Sequence, residues 1–189
     1  GWIVGIAAST GGPKALSTLL ASLPAQFRAP VLIAQHIGGE FARGLVSFLS
    51  RSTAKHVELA RHGEPVLDST IYVAPSDKHL TVTSERTIAL LARQKHDVYV
   101  PSCDLLFSSL AHCSGRQAVG VVLTGMGRDG ALGSGAIAKG GGCVIVQDSS
   151  TSAGNGMPQA VMGAGYADKV LPLGEIAREL VSVMGRRRV

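Results

Sequence analysis

The sequence predicts an α/β fold: a mostly parallel, doubly wound three-layer α/β/α sheet with a small antiparallel β-hairpin. Three observations predict it. Continuous Val/Ile/Leu/Ala runs alternate with helix-period segments along most of the 189 residues, as in a sheet covered by helices on both faces. The first run, Trp2 to Ala8, empties into Ser9-Thr10-Gly11-Gly12-Pro13, which reads as a strand-to-helix turn. Two later runs joined by Ser84-Glu85-Arg86 have the length and spacing of a hairpin.

Trp2–Ala7 is the first strand. Pro13 suits the opening position of a helix, where its missing N–H costs nothing, and that helix runs to about Ser22. Val31–Gln35 is an apolar strand, followed by a helix from about Glu40 to Ser52 and a short strand at His56–Leu59. Ile71–Ala74 is the next strand, and His79–Thr83 pairs with Thr87–Leu91 in the hairpin. Ser102–Cys113 reads as helix, Ala118–Leu123 as strand, Asp129–Lys139 as helix and Cys143–Gln147 as strand. Helices near Pro158–Gly163 and Leu173–Met184 complete the order. No repeat, low-complexity stretch or linker interrupts it, so a single domain is expected over residues 1–189.

Composition narrows the function classes. At 46% apolar residues the chain can bury one sizeable core. Glycine is abundant and aromatic residues are scarce, which favours tight turns over a base-stacking surface; no nucleic-acid partner is expected. The formal charge is +5, but Arg186, Arg187 and Arg188 supply three of those charges, leaving +2 for the body; such a tail is usually a solvated end. Cys103, Cys113 and Cys143 are odd in number and widely spaced, which points to a reducing, cytoplasmic setting without a disulfide framework. No apolar run reaches spanning length and no signal-peptide pattern is present, so no membrane insertion is expected. A start at Gly1 rather than methionine is expected of a piece of a longer or processed chain.

In an open parallel sheet, ligands bind beyond the carboxyl ends of the strands. The polar residues just past those ends are Ser9, His36, Asp77, Asp129 and Asp148. Ser9 leads. The pattern Ala7-x-Ser9-x-Gly11 is one small residue away from the G-x-S-x-G elbow that presents a nucleophile, and the following amide, that of Thr10, faces any oxyanion formed there. The competing structural role for Ser9 or Thr10 is a helix N-cap. Ser17, Ser22, Ser47 and Ser50 fall in helices, a poor place for an activated hydroxyl.

Among six histidines, His56, His62, His79 and His96 each follow Lys or Arg, company that suggests exposed surface, and His112 sits late in a helix. No pair has metal-site spacing, so no metal is expected. His36 closes a strand and precedes Ile37-Gly38-Gly39, which makes it the candidate general base. Asp129 lies in the glycine-rich loop Leu123-Thr-Gly-Met-Gly-Arg-Asp-Gly130 and is the candidate that orients the imidazole, with Asp77 and Asp148 as rivals. Its structural alternative is again an N-cap. A phosphate-cradling reading of Gly5…Gly11-Gly12 is weak, because neither G-x-G-x-x-G nor G-K-[ST] is present and His36 stands where a ribose-binding acid would be.

With these residues in view, the chain resembles the catalytic domain of the chemotaxis protein-glutamate methylesterases, the CheB-type family. The likeness covers nearly the whole chain in ordered blocks: Ile6-Ala-Ala-Ser9-Thr-Gly-Gly-Pro13-Lys-Ala-Leu16, Gln35-His36 with Phe41, and Tyr72-Val-Ala-Pro75 leading to His79-Leu80. It continues through Pro101-Ser102-Cys-Asp104-Leu-Leu-Phe107, Leu123 to Ala131, Gln147-Asp148 and Gly156-Met-Pro158-Gln-Ala160-Val161. Ala7, Ile37-Gly38 and Asp68-Ser69 depart from the family's usual residues without removing a catalytic group.

The resemblance implies a triad of Ser9, His36 and Asp129, with the backbone amides of Thr10 and Met126 as the oxyanion hole. It implies a serine esterase that hydrolyses glutamyl γ-methyl esters on the cytoplasmic helices of methyl-accepting chemotaxis receptors, with glutamine deamidation as a second outcome of the same chemistry. No metal or organic cofactor is expected. The family usually carries a phosphorylatable receiver domain; none is read within residues 1–189, so a receiver would act from a longer chain or in trans. Two alternatives remain at this stage: an esterase or deamidase of a non-chemotactic pathway, and a non-catalytic receptor-docking module.

Overall fold

Strand β1 (Ile3–Ala8) is buried along its whole length at the middle of a seven-stranded sheet. The structure, a computed structural model, describes residues 1–186; Arg187 and Arg188 of the basic tail lie outside them. After β1 come α1 (Gly12–Ser22), β2 (Val31–Gln35), α2 (Phe41–Ser50), β3 (His56–Leu59) and β4 (Thr70–Val73). The hairpin β5 (Lys78–Val82) and β6 (Ile88–Ala92) leads to α3 (Cys103–Ser114) and β7 (Ala118–Val122). The chain then runs through α4 (Ala131–Lys139), β8 (Cys143–Gln147), α5 (Gly156–Gly163), β9 (Lys169–Leu171) and α6 (Leu173–Gly185).

The sheet order is β3-β4-β2-β1-β7-β8-β9, every pairing parallel, and β5 and β6 form a separate antiparallel pair. The predicted doubly wound class is therefore the observed one. The chain passes from β1 to β2 and on to the edge strand β3 before β4 inserts between β2 and β3. On the other side it runs from β7 outward to β8 and β9, so the β1/β7 boundary is the switch point of the sheet. Side chains alternate across β1: Val4, Ile6 and Ala8 join Leu16, Leu19, Leu45, Leu49 and Ile176 in one layer. Ile3 and Ala7 face the opposite layer with Phe107, Leu110, Ile137 and Met157. Gly5 and Gly120 leave a notch under Phe107; a Cβ at Gly5 would stand 3.0 Å from that ring, so α3 rides close over β1 and β7.

Most boundaries fall within two residues of expectation. Two differences matter. The short edge strand β9 was not expected, being three residues long and flanked by Pro172. The helix expected from Asp129 begins at Ala131, because Gly130 at φ 100° occupies its cap and the Asp104 carboxylate accepts from the Gly130 and Gly133 amides at 2.9 and 2.8 Å. The cap thus comes from α3, which frees Asp129 from that task. Ser17, Ser22, Ser47 and Ser50 lie in α1 and α2 as expected. No described helix is long and apolar enough to cross a membrane.

Candidate active site

Parallel register places Ser9 and His36 side by side. Ala8 pairs with Gln35, so the next residue of each strand leaves the sheet at the same edge, and the His36 amide donates to the Ala8 carbonyl at 2.9 Å. Gln35 joins the two residues further. Its buried Nε2 donates to the carbonyls of both Ser9, at 2.8 Å, and His36, at 3.0 Å. Gln35 stood in a quoted sequence block but was not singled out as a site residue; its place at the carboxyl end of a buried strand is the signal that could have found it.

The Ser9 backbone is held on three sides. Its N–H donates to the Thr124 carbonyl at 3.0 Å, and its own carbonyl also accepts from Gly12. Gly11 turns the chain into α1 with φ 77°, a conformation L side chains rarely adopt, and α1 has no side-chain cap. Neither Ser9 nor Thr10 therefore serves as the N-cap. Across from Ser9, the loop after β7 comes within backbone contact: a Cβ at Gly125 would lie 2.8 Å from Ser9 Cβ. That loop is itself pinned, because Thr124 Oγ1 donates to the Thr10 carbonyl at 2.8 Å and Gln147 Oε1 accepts from Thr124 N–H at 2.8 Å. Among the described residues the Thr10 and Met126 amides have no protein acceptor.

His36 Nε2 and Asp129 Oδ2 are 2.6 Å apart, the length of a charge-assisted hydrogen bond, with His36 12% and Asp129 3% exposed at the side chain. Nε2 therefore carries the proton, and Nδ1, buried and without a partner, carries the lone pair. Both Asp129 oxygens are saturated from the start of α3: Cys103 N–H donates to Oδ2 at 2.7 Å and Asp104 N–H to Oδ1 at 2.9 Å. The helix N-terminus thus holds a carboxylate where its dipole favours negative charge. Among the rivals, Asp148 is committed to its own turn, accepting from Thr151 N–H at 3.0 Å, and Asp77 is exposed.

Burial pushes the Asp129 carboxyl up, but the His36 hydrogen bond and the Cys103 and Asp104 amides outweigh it and hold it below the usual value. Asp104 is raised, by burial first and then by the Asp129 charge, against the pull of the Gly133 and Gly130 amides. A carboxyl-carbon NMR titration is expected to find Asp129 titrating below, and Asp104 above, the ~3.9 of free aspartate. The linkage signs are opposite. Asp129's contribution to stability is present above ~3.9 and lost as pH falls through its depressed value; Asp104's contribution is present below ~3.9 and lost as pH rises through its raised value. An Asp129 signal at or above the free value would contradict the hydrogen bonds assigned to it.

Cys103 Sγ lies 3.6 Å from His36 Nε2, which makes it a neighbour that sequence reading did not reveal. Complete burial, then the Asp129 charge, push its thiol far above the usual value, so it stays protonated and is no rival nucleophile. His36, Cys103 and Asp129 bring three donor atoms within 4.8 Å of one another. The Nε2–Oδ2 separation is that of a direct hydrogen bond and is too short for a cation between those two atoms. Cys103, Cys113 and Cys143 form no disulfide among the described residues.

One histidine expectation is corrected. His56, His62 and His96 are exposed, but His79 is 1% exposed. Strand β5 alternates, so Lys78 turns out and His79 turns in, toward Asp97 at 2.8 Å and the Ser102 amide at 3.0 Å.

Several known proteins share this framework. The chain is 45% identical over 185 residues to the protein-glutamate methylesterase/protein-glutamine glutaminase 3 of Paramagnetospirillum magneticum, which covers 98% of this chain and 52% of that protein. It is 42% identical over 179 residues to the protein-glutamate methylesterase FrzG of Myxococcus xanthus, covering 95% of this chain and 54% of that one. The chain spans about half the length of these curated relatives. The crystal structure of the Thermotoga maritima CheB methylesterase catalytic domain matches with a TM-score of 0.93 at 34% identity, over 97% of this chain and 98% of that one. The CheB methylesterase family model matches residues 4–180, and with the switch-point site built on the same span, the chain belongs to the CheB methylesterase family.

Proposed function

We propose that this domain is a serine esterase that hydrolyses glutamyl γ-methyl esters on the cytoplasmic helices of chemoreceptors, and that Ser9, His36 and Asp129 carry the reaction. The observation that carries the reading is the 2.6 Å His36–Asp129 pair, which leaves Nδ1 without a partner on the residue that the parallel register sets next to Ser9. Ser9 Oγ attacks the ester carbonyl as His36 Nδ1 takes its proton, and the Asp129 carboxylate stabilises the imidazolium. The negative charge that develops on the carbonyl oxygen is met by the Thr10 and Met126 amides, which have no other acceptor among the described residues. Collapse expels methanol, protonated by His36, and water repeats the cycle to release glutamate and free Ser9. With a glutamine side chain the same steps release ammonia. Every proton in this sequence is moved by His36, and the water that attacks the acyl-enzyme supplies the oxygen of the released carboxylate.

A protein substrate is supported by the surface on the Asp129 side of the site. A groove of about 1370 Å³ that Asp129 lines, and Ser9 and His36 do not, runs along Val98, Leu105 and Leu132, each exposed and apolar. That exceeds the ~300–1,000 Å³ of small-molecule pockets and suits an amphipathic helix laying its apolar face down. A smaller cavity of about 340 Å³ lies under Trp2 and Phe27, at the opposite end of the strands from the triad. The curated relatives are about twice this chain's length, so a receiver domain in a longer chain or in trans fits as a further partner.

The test is turnover of a methylated chemoreceptor cytoplasmic fragment beside a methylated protein that is not a receptor. Methanol release confined to the receptor supports the proposal. Equal release from both points to a non-chemotactic esterase, and binding without release to a docking module.

A further inference from the structure

We infer that Tyr99 is a positioning residue for the base. The inference rests on the esterase reading and concerns the part of it that Asp129 does not explain: what fixes the plane of the His36 ring. The Tyr99 and His36 rings are stacked with centroids 4.4 Å apart and planes 1° from parallel. Because Asp129 holds Nε2, the reacting nitrogen is Nδ1, next to the ring's attachment point. Asp129 anchors one atom of the imidazole, and the ring can still tilt about that bond. A parallel aromatic face removes the tilt. It also offers a negative π-face to the ring when it becomes cationic.

Tyr99 is in turn held by devices no part of the mechanism has used. His79, a buried residue of hairpin strand β5, ties both ends of the segment that bears Tyr99: Nε2 meets Asp97 Oδ2 at 2.8 Å, and Nδ1 accepts from Ser102 N–H at 3.0 Å. A backbone N–H only donates, so Nδ1 is the bare nitrogen and the proton sits on Nε2, facing Asp97. Gln94 N–H and then His79 hold the Asp97 carboxyl below its usual value, consistent with a carboxylate there. On its far side the Tyr99 hydroxyl lies against Gly127, where a Cβ would collide with it. Tyr99 therefore spans from the base to the loop that carries Met126. His79 is a second imidazole–carboxylate pair whose product is loop position, not proton transfer.

Tyr99 is half-buried, so it can be replaced with less risk to folding than His79. The test measures the rate at which a fluorophosphonate labels Ser9, which reports nucleophile activation without receptor docking, in wild type, Tyr99→Phe, Tyr99→Leu and Tyr99→Ala. The labelling rate and kcat are expected to fall ~10²-fold in Tyr99→Leu and Tyr99→Ala, the scale of a misplaced catalytic group, with KM and the unfolding temperature little changed. Tyr99→Phe keeps the stacking face and is expected to stay near wild type. Wild-type rates in Tyr99→Leu overturn the inference while leaving the esterase intact. An equal loss in Tyr99→Phe overturns it in favour of a role for the hydroxyl. Failure of wild type itself to label at Ser9 overturns the esterase reading and this inference with it.

Discussion

Replacing Ser9 with alanine is expected to lower kcat on a glutamyl methyl ester by on the order of 10⁶-fold, the loss seen when a serine nucleophile is removed from a triad that acts as a unit. At 1.36 kcal/mol per tenfold this is about 8 kcal/mol of barrier, far beyond what a shift of the fold produces. The fold should not notice the change. Ser9 is fixed by its backbone, through Thr124, Gly12 and Gln35, and none of those bonds uses its hydroxyl. Unfolding temperature and receptor binding are therefore expected to match wild type while methanol release disappears. Substantial turnover by Ser9→Ala would place the nucleophile elsewhere, and Cys103, buried and protonated, would not be the replacement.

The second large effect belongs to Asp129→Asn, expected to cost ~10⁴-fold in kcat, because an asparagine cannot hold the imidazole in its working tautomer. Asp129 accepts on both oxygens at once: from His36 and Cys103 on Oδ2, and from Asp104 on Oδ1. An asparagine has one acceptor, so its NH₂ must face at least one of these donors. Turned toward Asp104, it leaves a buried N–H unsatisfied; turned toward His36, it demands the lone pair of Nε2 and puts the proton on Nδ1, where it blocks the base. The buried mismatch costs about 1–3 kcal/mol of stability. That corresponds to a fall of a few degrees, at roughly 2–4 °C per kcal/mol for a domain of this size, in the unfolding temperature. In a Ser9→Ala background the same substitution should cost little further activity, since the base has no proton to take. An additive loss would mean that Asp129 acts independently of Ser9.

What the sequence made legible follows from periodicity and from chain continuity. Ser9 and His36 each end an apolar strand, and parallel pairing of those strands brings them together whatever lies between. Asp129 was harder, because a residue before Gly130-Ala131 looks like an N-cap; only the Asp104 carboxylate, arriving from α3, shows that the cap is already filled. His79 was misread as surface because its neighbour is Lys78, whereas in a strand adjacent residues face opposite ways. Tyr99 and the Cys103 and Asp104 amides left no trace in the pattern. Their contacts with His36 and Asp129 span between 25 and 63 residues of sequence and depend on where α3 docks over β1. The oxyanion candidates are main-chain groups, which any side chain can accompany, so the family resemblance pointed to the Met126 amide, and its own residue type did not.

The central claim is that Ser9, activated by His36, cleaves a glutamyl methyl ester on a receptor helix. Methanol release from a methylated chemoreceptor cytoplasmic fragment, measured for wild type beside Ser9→Ala, tests it most directly. The account predicts steady release by wild type and none above background by the variant. Equal release by both, or none by a wild type that binds the fragment, would contradict it.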